Sequence, residues 1–363
     1  MKKIVVLFLS FIIIPLNSFA MSAEKAVVMD INSGRVLYNL NGDDPRLIAS
    51  ITKIMTCLIT IMYSDLNKTV VVDEDILKAY GSSVYLEVGE EIKLKDLLYG
   101  LMLRSGNDAA TAIANTVAGS NENFVFLMNE YAKTIGMKNT NFVNPHGLDS
   151  KGVGNISTAY DMALLTKVAM QNKTFREIFG TTNYKAESNL KTYNWAGKNK
   201  LFGMYKYTTG GKTGYTDAAK RTLVTTASKD NKNLVIVTLN DPNDFNDHKD
   251  LYETYFNKYE AILALDKNNF QVEDTFYKDI NFYIKNDYYA LITKEEQKNL
   301  KIEITLYKYD TVYNDIKIGE AKVMLDDFVL HKESIYAKKE EKKKSEKEKT
   351  SFWSKIIGWF KSW

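Results

Sequence analysis

The sequence predicts an α+β fold, in which an antiparallel sheet flanked by helices carries an all-helical subdomain and is followed by a small all-β domain. Three observations lead to this prediction. Strand-like segments occur on both sides of a helical block, which covers about residues 94–180. After residue 265 the pattern changes to apolar and polar residues in alternation. The chain has 363 residues, more than one ordinary domain holds.

The first strands and the first helix come early in the chain. AVVMDINSGRVLY, residues 26–38, predicts two strands joined by a turn at Asn32-Ser33-Gly34. The apolar run that follows predicts a helix from about Ser50 to Tyr63. In the helical block, LKDLLYGLMLR, NDAATAIANTVAG and NENFVFLMNEYAKTIG place apolar residues three and four apart. Gly106, Gly119 and Gly136 fall at or near the ends of these segments, as helix-terminating glycines do.

Strands return at about residue 205. MYKYTTGGKTGY, RTLVTTASK and NLVIVTLND each predict a strand, and a helix-like stretch follows from Lys249 to Leu265. These segments complete a first domain, which we assign to residues 21–265 and in which all the candidate catalytic residues described below lie. Beyond it, FQVEDTFYKDINFYIKN, LKIEITLYKYD and EAKVMLDDFVL alternate with period two. Residues 266–336 are therefore expected to form the separate small β domain.

The N-terminal 20 residues, MKKIVVLFLSFIIIPLNSFA, have the organisation of a secretory signal peptide. Lys2 and Lys3 are followed by an apolar core, a proline and a small residue suited to cleavage at Ala20. The alternative is an uncleaved anchor helix. The apolar run is short for that, since about 20 residues are needed to cross a bilayer. We expect the mature chain to begin near Met21, outside the cytoplasmic membrane.

The C-terminal end suggests attachment to a membrane surface. Residues 337–350, AKKEEKKKSEKEKT, form a charged run that cannot build a core and is expected to be a linker. Residues 351–363, SFWSKIIGWFKSW, would place aromatic and apolar side chains on one helical face and lysines on the other. Such a helix suits the membrane interface. At roughly 20 Å it is too short to span the bilayer. The alternative is a helix docked on the protein's own body, which the long linker disfavours.

Composition excludes several classes of function. A net charge of +3, spread along the chain, does not suggest a nucleic-acid partner. The single cysteine, Cys57, cannot form an internal disulfide and lies in an apolar run, as a small core residue would. The three histidines, His146, His248 and His331, have no spacing that supports a thiol nucleophile, a zinc carboxypeptidase or a Ser-His-Asp hydrolase.

Ser50 and Lys53 are the first candidate catalytic pair. They are three residues apart, which places them on one helical face. A serine hydroxyl needs a base to act as a nucleophile at neutral pH. A lysine can be that base if burial lowers its pKa, and the surrounding apolar run is a plausible place for burial. The spacing alone is a weak signal, because Ser22/Lys25 and Ser188/Lys191 share it.

Two further motifs strengthen this hypothesis. RSGND contains Ser105-Gly106-Asn107 between two helical segments, and GGKTGYT contains Lys212-Thr213-Gly214. Taken singly, the first is an ordinary helix-terminating turn and the second a strand with a glycine bulge. Together with Ser-x-x-Lys they occur in the order Ser-x-x-Lys, Ser-x-Asn, Lys-Thr-Gly, at spacings of about 55 and 105 residues.

With this trio the sequence resembles the penicillin-recognising superfamily, and more narrowly the low-molecular-weight penicillin-binding proteins that are serine-type D-alanyl-D-alanine carboxypeptidases (peptidase S11-like). The resemblance covers about residues 23–260 and includes GSSVYLEVGE, LMNEYAKTIGMKNTNFVNPHGL and STAYDMA. It implies a β-lactamase/transpeptidase-like catalytic fold and an extracytoplasmic enzyme attached peripherally to the outer face of the cell membrane. It also implies a peptidoglycan stem peptide ending in D-Ala-D-Ala as substrate and β-lactams as covalent inhibitors, with no metal or cofactor.

The resemblance also implies a role for each motif residue. Ser50 would be the acylated nucleophile, Lys53 its general base, and Ser105 the relay of a proton to the leaving amine. The substrate-binding residues would be Asn107, Lys212, Thr213, Gly214 and Tyr215. In that set the Thr213 hydroxyl would bind the terminal carboxylate, and the amides of Ser50 and Tyr215 would form the oxyanion hole.

The chain departs from the family pattern at one position. Family members usually carry a carboxylate-binding arginine some thirty residues after Lys-Thr-Gly, and our alignment places Asp244 there. Arg221, His248 or Lys249 could substitute. Two other functions stay open: a β-lactamase, for which Asp149 and Asp161 are the only acids in residues 141–161, and a catalytically weak wall-binding protein.

Overall fold

A computed structural model describes residues 21–339 apart from 273, 275, 278 and 279. The expected signal peptide, the amphipathic tail and most of the charged linker lie outside the described residues. The chain divides into two compact units, and each is described by itself. Among the described residues, the first contains 21–29, 36–228 and 234–254, and the second contains 30–35, 229–233 and 255–339.

Helices and strands alternate irregularly along the chain. The α-helices are α1 (Lys53–Tyr63), α2 (Leu94–Tyr99), α3 (Asn107–Ala118), α4 (Asn121–Ile135), α5 (Ala159–Ala169), α6 (Lys173–Phe179), α7 (Leu201–Met204) and α8 (Asp244–Lys258). The strands up to residue 239 are β1 (Lys25–Asp30), β2 (Val36–Leu40), β3 (Arg46–Leu47), β4 (Thr69–Val71), β5 (Glu91–Lys93), β6 (Ile156–Ser157), β7 (Asn183–Glu187), β8 (Thr192–Ala196), β9 (Thr208–Thr216), β10 (Lys220–Lys229) and β11 (Lys232–Leu239). The later strands are β12 (Glu260–Leu265), β13 (Ile280–Tyr283), β14 (Tyr288–Ile292), β15 (Leu300–Leu306), β16 (Lys317–Leu325) and β17 (Phe328–Lys339).

The main sheet has five strands in the order β2-β1-β11-β10-β9. The β1–β2 and β9–β10 pairs are antiparallel. β1 is fully buried, and most of β10 and β11 is buried as well, which agrees with their long apolar runs. β9 is the edge strand, so its outer backbone groups are available to pair with a further extended chain.

The helical block has its own core. Ile54, Leu97, Ile113, Phe124 and Leu165, from five different helices, are each fully buried or nearly so. α3 and α4 end at Gly119 and Gly136, both with φ near +80°, where a residue without Cβ is favoured. None of the helices in the described part of the chain is long and apolar enough to cross a membrane.

The second unit contains a four-stranded sheet in the order β13-β17-β16-β15 and the β12–β14 pair. Its core is formed by side chains from these strands, which include Leu265, Tyr288, Ile292, Val323 and Ile335. The predicted fold class, a mixed α+β unit followed by an all-β domain, is confirmed.

Two boundaries differ from the sequence prediction. The helix expected over Lys249–Leu265 begins earlier, at Asp244, and ends at Lys258. Glu260–Leu265 is strand β12, paired with β14, so the helix prediction was wrong there. The short apolar run AILAL fits either period, and pairing with β14 decides between them. β17 also runs to Lys339, so residues 337–339 are strand rather than linker.

Candidate active site

Ser50 lies on a single 3₁₀ turn, Ala49–Thr52, that leads directly into α1. The preceding residue, Ala49, has φ = 49°, a left-handed conformation that a residue with Cβ rarely adopts. The turn is held by the Thr52 hydroxyl, which donates to the Ala49 carbonyl at 2.8 Å, and by the backbone of Gly147, which packs against that carbonyl. Neighbouring contacts therefore fix the backbone that presents Ser50.

Lys53, the first residue of α1, is fully buried. Its Nζ lies 3.1 Å from Ser50 Oγ, 2.7 Å from Asn107 Oδ1 and 2.6 Å from the His146 carbonyl oxygen. Burial, with the positive charges of Lys212 and Lys198, holds the pKa of Lys53 well below its ordinary value. This shift favours the neutral amine over the ammonium form, relative to an ordinary lysine.

The three neighbours of Lys53 allow its neutral form to act on Ser50. A neutral amine has two N–H bonds and one lone pair. The Asn107 and His146 carbonyl oxygens can only accept, so they use the two N–H bonds. The lone pair remains for the Ser50 hydroxyl, which can donate. The geometry thus suits removal of the proton from Ser50 by Lys53.

Ser105 and Lys212 form a second contact across the cleft. Ser105 has φ = 64° and follows a π-helical turn at Gly100–Arg104. Lys212, on β9, is only 2% exposed, and its Nζ donates to Ser105 Oγ at 3.0 Å and to the Thr213 carbonyl at 2.7 Å. Burial, together with the charge of Lys198, lowers the pKa of Lys212 to about 7.

Asn107, at the start of α3, also fixes one wall of the cleft. Its backbone N–H donates to the Ser82 carbonyl at 2.8 Å, and its Nδ2 donates to the Tyr80 carbonyl at 2.5 Å. The neighbouring carboxylate of Asp108 accepts from the backbone amides of Val84 and Leu86. Together, Asn107 and Asp108 hold residues 80–86 in place, which makes the site geometry depend on a loop whose role the motifs did not indicate.

These residues surround a cleft of about 380 Å³. Lys53, Asn107 and Lys212 stand behind the cleft and are hydrogen-bonded to Ser50, Ser82 and Ser105, which line it. All eight predicted site residues thus come together in the first unit. The lining consists of Ser50, Ser82, Ser105, Lys198, Lys200, Thr213, Gly214, Tyr215, Arg221, Asp244 and Phe245.

The sequence analysis missed three groups at the site: the Lys198 side chain, Ser82 and the backbone carbonyl of His146. Lys198 lowers the pKa values of Lys53 and Lys212 and donates to Ser82 Oγ at 3.1 Å. His146 contributes its backbone carbonyl, while its imidazole, with its pKa lowered to about 3 by burial and by Lys53, stays neutral. The only signal for Ser82 and His146 was their place in GSSVYLEVGE and NPHGL, two of the stretches that carry the resemblance.

Asp244 is buried and forms an ion pair with Arg221. Nη2 of Arg221 lies 2.7 Å and 2.8 Å from the two carboxylate oxygens. Burial raises the pKa of Asp244, and Arg221 partly offsets this. Of the three proposed substitutes for the family arginine, Arg221 lines the cleft. His248 is buried between Thr225 and Thr238, and Lys249 is exposed and outside the lining.

The acids considered for a β-lactamase lie elsewhere. Asp161 is buried and accepts from the Asn139 amide and the Thr140 hydroxyl, so it serves the local structure. Among the described residues, neither Asp161 nor Asp149 lines the cleft. The Ser188/Lys191 match lies in a turn where Lys191 pairs with Glu87. Cys57 is buried, and burial raises the pKa of its thiol, as expected for a core residue.

Comparison with known proteins agrees with this geometry. Residues 15–243 match the family model Peptidase_S11, described as D-alanyl-D-alanine carboxypeptidase. Residues 262–343 match the model of the penicillin-binding protein 5 C-terminal domain.

Individual relatives cover most of the chain. D-alanyl-D-alanine carboxypeptidase DacF of Bacillus subtilis is 32% identical over 346 residues, 91% of this chain and 88% of the relative. DacC of Escherichia coli is also 32% identical, over 87% of this chain and 82% of the relative. Among solved structures, penicillin-binding protein 5 of Haemophilus influenzae has a TM-score of 0.70 at 26% identity and covers 88% of this chain and 97% of its own.

The order and geometry of the three motifs, the two-domain layout and the relatives point in the same direction. The resemblance inferred from the sequence is confirmed: this chain belongs to the Peptidase_S11 family of D-alanyl-D-alanine carboxypeptidases, the low-molecular-weight penicillin-binding proteins.

Proposed function

We propose that this chain removes the terminal D-alanine from peptidoglycan stem peptides through an acyl-enzyme on Ser50. Family membership makes it a serine-type D-alanyl-D-alanine carboxypeptidase, a hydrolase. The observation that supports Ser50 and Lys53 in their roles is the hydrogen-bonding of Lys53 Nζ. Two carbonyl oxygens hold Nζ against the Ser50 hydroxyl, so that the amine in its neutral form can take the Ser50 proton.

In acylation, Ser50 Oγ attacks the carbonyl carbon of the penultimate D-alanine as its proton passes to Lys53 Nζ. The backbone amides of Ser50 and Tyr215 stabilise the negative charge on the carbonyl oxygen. The C–N bond then breaks, and the nitrogen of the leaving D-alanine takes, through Ser105, the proton that Lys53 received from Ser50, so Lys53 is neutral again. Lys212 supports this step, since its Nζ is 3.0 Å from Ser105 Oγ.

In deacylation, water attacks the ester carbon as its proton passes to the neutral amine of Lys53. Lys53 then gives that proton to Ser50 Oγ as the ester C–O bond breaks, which restores the free serine and releases the shortened peptide. Asn107 holds Lys53 throughout both steps.

Before acylation, the extended substrate pairs with β9, an edge strand. The Thr213 hydroxyl binds its terminal carboxylate, and Gly214 lets the peptide approach the strand closely. A β-lactam would enter the same cleft and acylate Ser50.

The test follows both half-reactions with the full chain. Mass spectrometry after incubation with penicillin should show an adduct on the Ser50 peptide, and a synthetic pentapeptide should lose D-alanine. Ser50→Ala should keep the fold and lose both. An adduct with rapid penicillin turnover would favour a β-lactamase, and an adduct without release of D-alanine would favour a weak wall-binding protein. No adduct on folded protein would contradict the serine mechanism.

We propose further that the chain is exported and attached peripherally to the outer face of the membrane. Support comes only from the sequence of residues 1–20 and 351–363. The mature protein should begin near Met21 when its N-terminus is determined from cell envelopes. Deletion of residues 351–363 should release it from membranes, and continued sedimentation with them would contradict the anchor.

A further inference from the structure

The cleft carries a strong excess of positive charge with one carboxylate among it. Lys198, Lys200 and Arg221 line it, and Lys212 lies directly behind. Among the residues that the structure describes, Asp244 is the one carboxylate in the lining. Since the cleft must accept a peptide that ends in a carboxylate, Asp244 would repel the substrate unless its charge were used otherwise.

Arg221 neutralises Asp244 and is itself held in place. Asp244 is only 2% exposed, so its carboxylate has a fixed position. The two contacts to this carboxylate therefore fix the guanidinium of Arg221. The centroid of the Phe245 ring lies 5.6 Å from the guanidinium carbon, and this contact restricts the guanidinium further. An arginine whose position is fixed loses less side-chain entropy when it binds a ligand.

The pairing with Asp244 leaves donors on Arg221 unused. Both contacts to the carboxylate come from Nη2. A guanidinium has five N–H donors, and within residues 21–339 no protein acceptor is bonded to Nη1 or Nε of Arg221. Nε is buried, but the side chain is 43% exposed. Nη1 can therefore donate to a ligand in the cleft.

Strand register brings this donor to the site of the substrate's terminal group. Arg221 on β10 is directly opposite Tyr215 on β9, so both side chains project from the same face of the sheet. Thr213, two residues before Tyr215, shares that face. A diagonal cross-strand neighbour lies about 7–8 Å away at the backbone, which a side chain as long as arginine spans easily.

We propose that Arg221, positioned by Asp244, binds the C-terminal carboxylate of the substrate together with the Thr213 hydroxyl. The family's arginine in the following helix is thus replaced by an arginine on the neighbouring strand, and the acid at the helical position becomes its support. This inference rests on the proposed carboxypeptidase function. It makes Arg221 a binding residue and Asp244 a positioning residue.

The test compares a D-Ala-D-Ala pentapeptide with its C-terminal amide, using the full chain. Arg221→Ala should lower kcat/KM for the free acid by about 10- to 100-fold, the value of one charged hydrogen bond, and leave that for the amide nearly unchanged. Lys249→Ala, on an exposed lysine of α8, is the matched control and should change neither.

Two variants guard against misfolding and test the role of Asp244. Arg221→Ala leaves a buried carboxylate unpaired, so the neutral pair Arg221→Gln with Asp244→Asn should show the same acid-specific loss in a stable protein. Asp244→Asn alone should raise KM for the acid, and this effect should vanish in the Arg221→Ala background.

The outcomes separate the two proposals. The wild-type protein could release D-alanine while Arg221→Ala leaves unchanged the ratio of kcat/KM for the acid to kcat/KM for the amide. This inference is then overturned, and the proposed carboxypeptidase function stands. A selective loss confined to Lys198→Ala or Lys200→Ala would also overturn it, because another cation then binds the carboxylate. If the wild-type protein releases nothing from either peptide, the proposed function fails and the inference fails with it.

Discussion

The backbone of Gly214 lies against the amide nitrogen of Ser50, so closely that a Cβ atom at residue 214 would stand 2.9 Å from it. The same Cβ would collide with the Thr222 hydroxyl, which donates to the Ile48 carbonyl at 3.0 Å. Since β9 and the Ser50 turn carry the two proposed oxyanion donors, their separation depends on the absence of a side chain here.

Gly214→Ala is therefore expected to push β9 away from Ser50. The rate of penicillin acylation should fall by about 100-fold or more, the effect of losing one oxyanion donor. Gly203→Ala is the matched control, because a Cβ there would meet nothing within 4 Å. Stopped-flow acylation would measure both variants. An unchanged rate for Gly214→Ala would remove the oxyanion role from this contact.

Asn107→Asp should shift the pH dependence of acylation. It places a negative charge 2.7 Å from Lys53 Nζ, where a neutral amide oxygen now accepts. A carboxylate at that distance favours the ammonium form, so the pKa of Lys53 should rise by about 1 to 3 units. The acidic limb of kcat/KM should move to higher pH by a similar amount. A lower plateau with an unmoved limb would indicate that Asn107 only maintains the loop at Tyr80.

Sequence patterns predicted contacts between residues that are close along the chain. Contacts between residues distant in sequence could not be predicted from such patterns. Ser50 and Lys53 are neighbours because three residues of helical backbone bring them together. Ser105 and Lys212 are 107 residues apart, and only the resemblance placed them in one cleft. The left-handed backbone at Ala49 gave no signal, since no glycine marks it.

The same distinction applies to the fold. Long periodic helices and alternating strands were predicted, because their patterns repeat over many residues. Strand β12 was not, because a short apolar run takes its conformation from its partner β14. The Arg221–Asp244 pair was likewise inaccessible, since it depends on where β10 meets α8.

The lowered pKa of Lys212 predicts that activity falls at alkaline pH. Its lowered pKa, about 7, means that it loses its proton well before an ordinary lysine does. If the ammonium form is the one that supports Ser105 and attracts the substrate carboxylate, kcat/KM should fall above about pH 7. An arginine at this position keeps its charge at every accessible pH. In Lys212→Arg the alkaline limb should therefore be absent below pH 9, even if the maximal kcat/KM of the variant is lower. An alkaline limb shared by both proteins would assign it to another group.

The lowered pKa of the buried His248 imidazole predicts that the folded protein loses stability in acid. It is fully buried, with Nδ1 2.7 Å from the Thr225 hydroxyl and Nε2 3.0 Å from that of Thr238. Burial lowers its pKa from 6.5 to about 3 in the folded protein. Between these values the unfolded chain binds a proton that the folded chain does not. The contribution of His248 is therefore complete above pH 6.5 and is lost as the pH falls toward 3.

His248→Gln should remove this dependence while keeping a donor and an acceptor between the two threonines. The free energy of unfolding of the wild-type protein should fall more steeply with decreasing pH, by about 1.4 kcal/mol per pH unit for one such histidine. Urea unfolding of the full chain, followed by circular dichroism at several pH values between 7 and 4, would measure the difference. His146 titrates in the same window for the same reason, so the variant should retain part of the slope. Parallel curves for the two proteins would show that His248 is protonated in the folded state.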